Sequence, residues 1–207
     1  GRASRIVSLQ QALVRLGARR VKELVLAVVM KTRIFRSHRH AARAQAIWRE
    51  AAATACLARE IARAKGSNPE TAFLAGLLRT IGKPVVLEAL SEHERGRGVA
   101  LPAELVDRLI AAHHVDAGLR LAAAWALPPS VGAAIAHAEA PGAAPEHREL
   151  VAVVAAAARL APRLLAGEEP ETLAEVPELR DLRLPPGEAA RILGVRDRLH
   201  GFVEAFG

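Results

Sequence analysis

The chain has 207 residues, 51% of them hydrophobic and only 3% aromatic, with one cysteine, no tyrosine and a formal net charge of +7. A core of Ala, Leu and Val is affordable at this length, whereas the single Cys56 excludes an internal disulfide framework and a cysteine-based zinc cluster, and the absence of Tyr weighs against an aromatic platform for single-stranded nucleic acid. The charge is uneven: residues 1–49 carry 12 Lys and Arg against one acid, Glu23, for +11, and the remainder carries 17 against 21, for −4.

Ser8 followed by Gln11 is a capping-box pairing, and Leu9, Ala12, Leu13 and Leu16 fall at helical spacing before Gly17, so a short amphipathic helix is expected there. The stretch 18–32, apolar almost all round through LVLAVVM, predicts a central packed helix. In KTRIFRSHRHAARA, Arg33, Arg36, Arg39 and Arg43 are spaced three, three and four apart with His40 beside them and no acid nearby. Like charges on one helical face repel by a few tenths of a kcal/mol per pair. The stripe is therefore expected to contact an anion or an acidic partner.

A long helix is predicted over 41–65, with Ile47, Trp48, Ala51, Ala55, Ala58 and Ile61 facing inward and Gly66 as its stop. Asn68-Pro69 opens the next by cap and first-turn proline, carrying Phe73 to Thr80. A short helix over 84–90 and a flexible surface loop, SEHERGRG, are expected next. Pro102 starts a further helix, Asp116 caps a separate one over 116–126, and Pro128-Pro129 begins one ending near His137. A loop at 140–145 leads to a helix over 146–166, and helices near 187–194 and 195–205 follow an acidic, proline-punctuated stretch. Cys56, Trp48 and Trp125 all read as core. The pattern predicts an all-α protein of roughly ten helices, with residues 1–166 as one domain and 167–207 as a small helical extension packed on it.

The segments IVSLQQALVRLGARRVKELVLAVV, IWREAAATACLAREIA, FLAGLLRTIGK, HHVDAGLRLAAAWALPPSVGAAIAH and LVAVVAAAARLA, in that order over about residues 5–165, resemble the HDOD family, the bacterial HD-related output domains. Members of that family usually have further helices before the SLQQA segment, so these are expected to be missing here. In HD phosphohydrolases a His, a His-Asp pair and a distant Asp hold one or two metals that polarise a phosphoryl group and supply hydroxide. The resemblance puts Glu50, Arg79, Thr80 and Ala158 at those positions. A guanidinium is permanently charged and cannot coordinate a metal; Arg79 is expected instead to be held by Glu50.

The resemblance thus implies a protein without catalytic residues, metal or cofactor: a signal-transduction module that binds a signalling protein or a partner from a cyclic-dinucleotide pathway. One alternative is a residual metal-dependent phosphohydrolase drawing substitute ligands from His113, His114, Asp116, His137 and Glu139, although without metal-site spacing this cluster reads first as helix-end histidines capping carbonyls or packing on Trp125. Another is a regulator that contacts nucleotide or nucleic acid through the basic segment. No GxSxG elbow and no glycine-rich phosphate loop is present. With no signal-peptide pattern and no apolar run of membrane-spanning length, a cytoplasmic location without membrane contact is expected.

Overall fold

Alanine sets the packing of this chain, because helices rich in it approach closely and lose little side-chain entropy on folding. The computed structural model describes residues 39–168, 177–194, 199 and 201. They form α1 (Ala41–Ala64), α2 (Pro69–Leu78), α3 (Gly82–Arg97), α4 (Ala103–Ala124), α5 (Pro129–His137), a 3-10 turn (Pro141–Ala143), α6 (Arg148–Leu165), α7 (Pro177–Asp181) and α8 (Glu188–Leu193). There is no strand among the described residues, so the all-helical expectation holds. The helices expected over 8–17, 18–32 and 195–205 lie outside the described residues, as do Arg33 and Arg36.

The central element is α1, which is buried on most of its circumference and packs against α2, α6, α3 and α8. Trp48, Leu57 and Ile61 of α1 join Phe73, Leu77 and Leu78 of α2, Ile135 of α5 and Leu160 and Leu164 of α6 in the main core. Each fully buried Leu or Ile contributes about 1.5–3 kcal/mol of transfer free energy. The helix ends at Lys65, and Gly66 turns the chain at φ +69°. The side chain of Asn68 then accepts from the backbone N–H groups of Glu70 and Thr71 at 3.0 and 3.1 Å, with Pro69 in the first turn of α2.

Three sequence expectations are corrected. The SEHERGRG stretch is not a loop: α3 runs unbroken to Arg97 and stops at Gly98, φ +67°. Ser91 and Glu94 are buried in it, three apart and so on one face, while the intervening charges face water. Likewise, one helix, α4, spans the two expected between Pro102 and Ala126. Asp116 is therefore no cap; it lies in mid-helix and pairs with Arg120 at 2.8 Å, an i,i+4 contact. Trp125 is 44% exposed just past the end of α4, whereas Trp48 is core at 2%.

A second, smaller apolar cluster joins Ala44 and Ile47 of α1 to Leu87 of α3 and to Val106 and Ile110 of α4. Two glycines hold α3 and α4 together beside it. A Cβ on Gly82 would lie 1.8 Å from the carbonyl oxygen of His114 and 2.6 Å from the backbone nitrogen of Gly118. Only glycine permits that crossing. It sets the first turn of α3, with Lys83, beside His114. Among the described residues, no helix is long and apolar enough to cross a membrane.

Candidate functional site

The end of α2 delivers Arg79 and Thr80 against α1. Arg79 is 8% exposed and donates through Nη2 to Glu50 Oε1. Lys83 Nζ, one turn on, approaches the other oxygen, Glu50 Oε2, at 3.5 Å. One carboxylate thus serves two cations. Arg79 Nε and Thr80 Oγ1 are buried without a hydrogen-bond partner. Ala158 stands half-buried on α6. The four positions that the HD comparison picks out therefore present a guanidinium locked to a carboxylate, a hydroxyl and a methyl.

Such a set does not fit a divalent cation. The only carboxylate is engaged, and the fixed positive charge of Arg79 would repel the metal. Among the described residues no three His, Cys, Asp or Glu converge as a cation would require. Removing Glu50 would strand a largely desolvated guanidinium, whereas Glu50 without Arg79 would still face Lys83.

Of the polar cluster His113, His114, Asp116, His137 and Glu139, the structure brings together only His114 and Glu139, with Nε2 to Oε1 at 3.5 Å. His113 and Asp116 are exposed, and His137 is half-buried at the end of α5. His114 is 6% exposed in the middle of α4, not at a helix end. Its Nδ1 is buried and unpartnered. Burial pulls its pKa below 6.5, with Lys83 and Arg79 acting in the same direction and Glu139 and Glu50 against it, so the ring is neutral at pH 7.

His114 lines a cavity of about 340 Å³ with Lys83, Glu139, Arg43 and Asp107, floored by Ala46, Ile47, Ile110 and Ala111. Sequence reasoning missed both the cavity and Lys83. The one available signal was the Ile81-Gly82-Lys83 turn, which places a lysine where α3 crosses α4. A larger cavity of about 570 Å³ between α6 and α7 holds none of the predicted residues.

The described part of the basic stripe, Arg39, His40 and Arg43, finds acids within the chain. Arg43 grips Asp107 with Nε at 2.8 Å and Nη2 at 3.0 Å, and also donates to the carbonyl oxygen of Ala103 at 3.2 Å. This bidentate contact raises the pKa of Arg43 and holds Asp107 below its ordinary range. Glu94, 1% exposed, accepts from Leu101 N–H at 2.7 Å and meets His40 Nε2 at 2.9 Å and Arg39 Nε at 3.8 Å. The Leu101 N–H, then His40 and Arg39, hold its carboxyl below the ordinary value, outweighing the effect of burial. Arg39, His40 and Arg43 thus clasp the start of α1 to α3 and α4.

No curated protein matches this chain. Three solved structures share its fold. A candidate phosphohydrolase from Shewanella amazonensis SB2B superposes with a TM-score of 0.74 at 20% identity, over 99% of this chain and 78% of that one. An HDOD domain protein of unknown function from Geobacter sulfurreducens gives 0.70 at 20% identity, over 99% and 75%. A candidate metal-dependent phosphohydrolase, also from Shewanella amazonensis SB2B, gives 0.70 at 22%, over 100% and 75%. At these identities the likeness speaks for the fold alone. The model of the HDOD domain matches residues 1–141, about two thirds of the sequence and the part that carries Glu50, Arg79 and the Gly82 crossing, and on that match the chain belongs to the HDOD domain family.

Proposed function

We propose that this protein acts by binding: it is a non-catalytic bacterial signalling module whose partner is a protein or nucleotide of the circuit it serves. The observation that supports this is the closed pair of Arg79 and Glu50 with Lys83 beside it, where an HD enzyme would present metal ligands. A helical shell of this kind offers grooves and a packing equilibrium that a partner can bias. Of the basic segment, Arg39, His40 and Arg43 are engaged by Glu94 and Asp107, so these three lend no support to a nucleic-acid reading.

Hydrolysis tests this reading. Purified protein, supplied with manganese, is expected to leave a phosphomonoester and a cyclic dinucleotide intact. The double variant Arg79→His, Thr80→Asp should be equally inert, since a histidine and an aspartate alone do not complete a ligand set. Turnover by the unaltered protein that disappears in Glu50→Gln overturns the proposal.

A further inference from the structure

We infer that the cavity between α1, the start of α3 and α4 binds a small organic oxyanion, a carboxylate or phosphate on a compact apolar body, with Lys83 and His114 as its polar contacts. This rests on the reading above, that the protein binds without turnover.

Charge comes first. Behind the cavity, Glu50 is shared by Arg79 and Lys83, so two cations face one carboxylate and one positive charge is in excess. Arg43 and Asp107, at another edge, neutralise each other through two hydrogen bonds. Glu139 is 70% exposed, so water and salt screen its charge. Lys83 has donors to spare: its side chain is 22% exposed, and its contact with Glu50, at 3.5 Å, is an ion pair and not a close hydrogen bond.

The second observation is His114. Its imidazole lines the cavity at 6% exposure, yet Nδ1 has no partner and Nε2 stands 3.5 Å from Glu139. Nδ1 is sealed off from the cavity, so Nε2, whose distance of 3.5 Å to Glu139 is long for a hydrogen bond, is the ring nitrogen that a ligand oxygen would meet. The floor of Ala46, Ile47, Ile110 and Ala111 is apolar, which suits a hydrocarbon or flat ring attached to the anion. At about 340 Å³ the volume lies at the lower end of the roughly 300–1,000 Å³ of ligand pockets, so it suits a single-ring compound and not a dinucleotide.

The test follows the His114 ring signals by NMR in ¹⁵N-labelled full-length protein, with the signal assigned through His114→Gln. Phenyl phosphate and benzoate are the probes, and phenol and inorganic phosphate the controls that lack the charge or the body. Both probes are expected to move the His114 signals saturably, with phenol and inorganic phosphate at least about tenfold weaker. Lys83→Gln should weaken both probes about tenfold, the loss of one charge-assisted contact. Ala111→Trp, an exposed position on α4 whose larger side chain fills the cavity without entering the core, should abolish binding. His114 signals unmoved at about 10 mM probe, or moved equally in Ala111→Trp, overturn the inference and leave the non-catalytic reading standing. Release of phenol from phenyl phosphate, lost in Glu50→Gln, overturns that reading and this inference with it.

Discussion

From residue 51 to residue 62, α1 is buried among Phe73, Leu77 and Leu160, with Leu57 and Ile61 fully enclosed. Over its first turns it meets α3 and α4 through a cluster of only five buried side chains, two of which, Ile47 and Ile110, also floor an open cavity. Ion pairs make up much of the difference: His40 with Glu94, Arg43 with Asp107, and Glu50 with Arg79 and Lys83. The same helix is thus held at one end by apolar burial and at the other by charge. Polar groups and free volume sit at the second end because a dense core has room for neither. That end is where binding chemistry can reside.

The comparison can be broken by matched truncations. Leu57→Ala, in the dense half, is expected to cost about 4 kcal/mol, since a fully enclosed site cannot collapse to fill the void. Ile47→Ala, beside the open cavity, should cost about 2 kcal/mol, because water already reaches the space. Denaturant titration measures both. Equal losses would erase the distinction between the two halves.

Between them in magnitude falls Gly82→Ala. Its methyl group would meet backbone atoms of α4 at 1.8 and 2.6 Å, and backbone, unlike the end of a flexible side chain, cannot step aside. About 3 kcal/mol is expected, at the upper end of what overpacking costs. Because α3 must move off α4, Lys83 and His114 should separate, which a shift in the His114 titration would report. A Gly82→Ala protein as stable as its parent would show that the crossing is looser than described.

The smallest effects are those of pH. His114 is held below 6.5 in the folded chain, so as pH falls the unfolded chain takes up that proton first and stability begins to decline below about 6.5. Glu94 is held below 4.5; the stability it contributes is complete above that value and is lost as pH falls through its lower folded value. The melting temperature should therefore fall in two stages on acidification. Glu94→Gln should lower it at neutral pH and flatten only the second stage. Unchanged melting at neutral pH, with an unchanged acid limb, would remove Glu94 from the clasp.

Much of this fold was legible because its signals are local. Asn68-Pro69 carries its own cap and first turn, Gly66 its own stop, and the stripe through Trp48 and Ile61 its own period. Arg79 could be paired with Glu50 because the HD resemblance puts both at ligand positions of one site. The run Ser91 to Gly98 was misread because the partners of Glu94 come from elsewhere: His40 is 54 residues earlier, and Leu101 lies beyond the helix end. Charge density alone cannot tell a solvated loop from a helix with one buried acid. Asp116 misled for a related reason, since a residue type favoured at caps also serves in mid-helix when an arginine follows four places on. The cavity was invisible because α1, α3 and α4 each supply part of it, and no short motif records their meeting.

The central claim is that Arg79, held by Glu50, closes the position a metal would need. Titrating the purified full-length protein with Mn²⁺ and measuring the free ion by electron paramagnetic resonance tests it most directly. The account predicts no site with a Kd below about 1 mM, in the parent and in Glu50→Gln alike. One Mn²⁺ bound per chain with micromolar affinity, lost when Glu50 becomes glutamine, would contradict it.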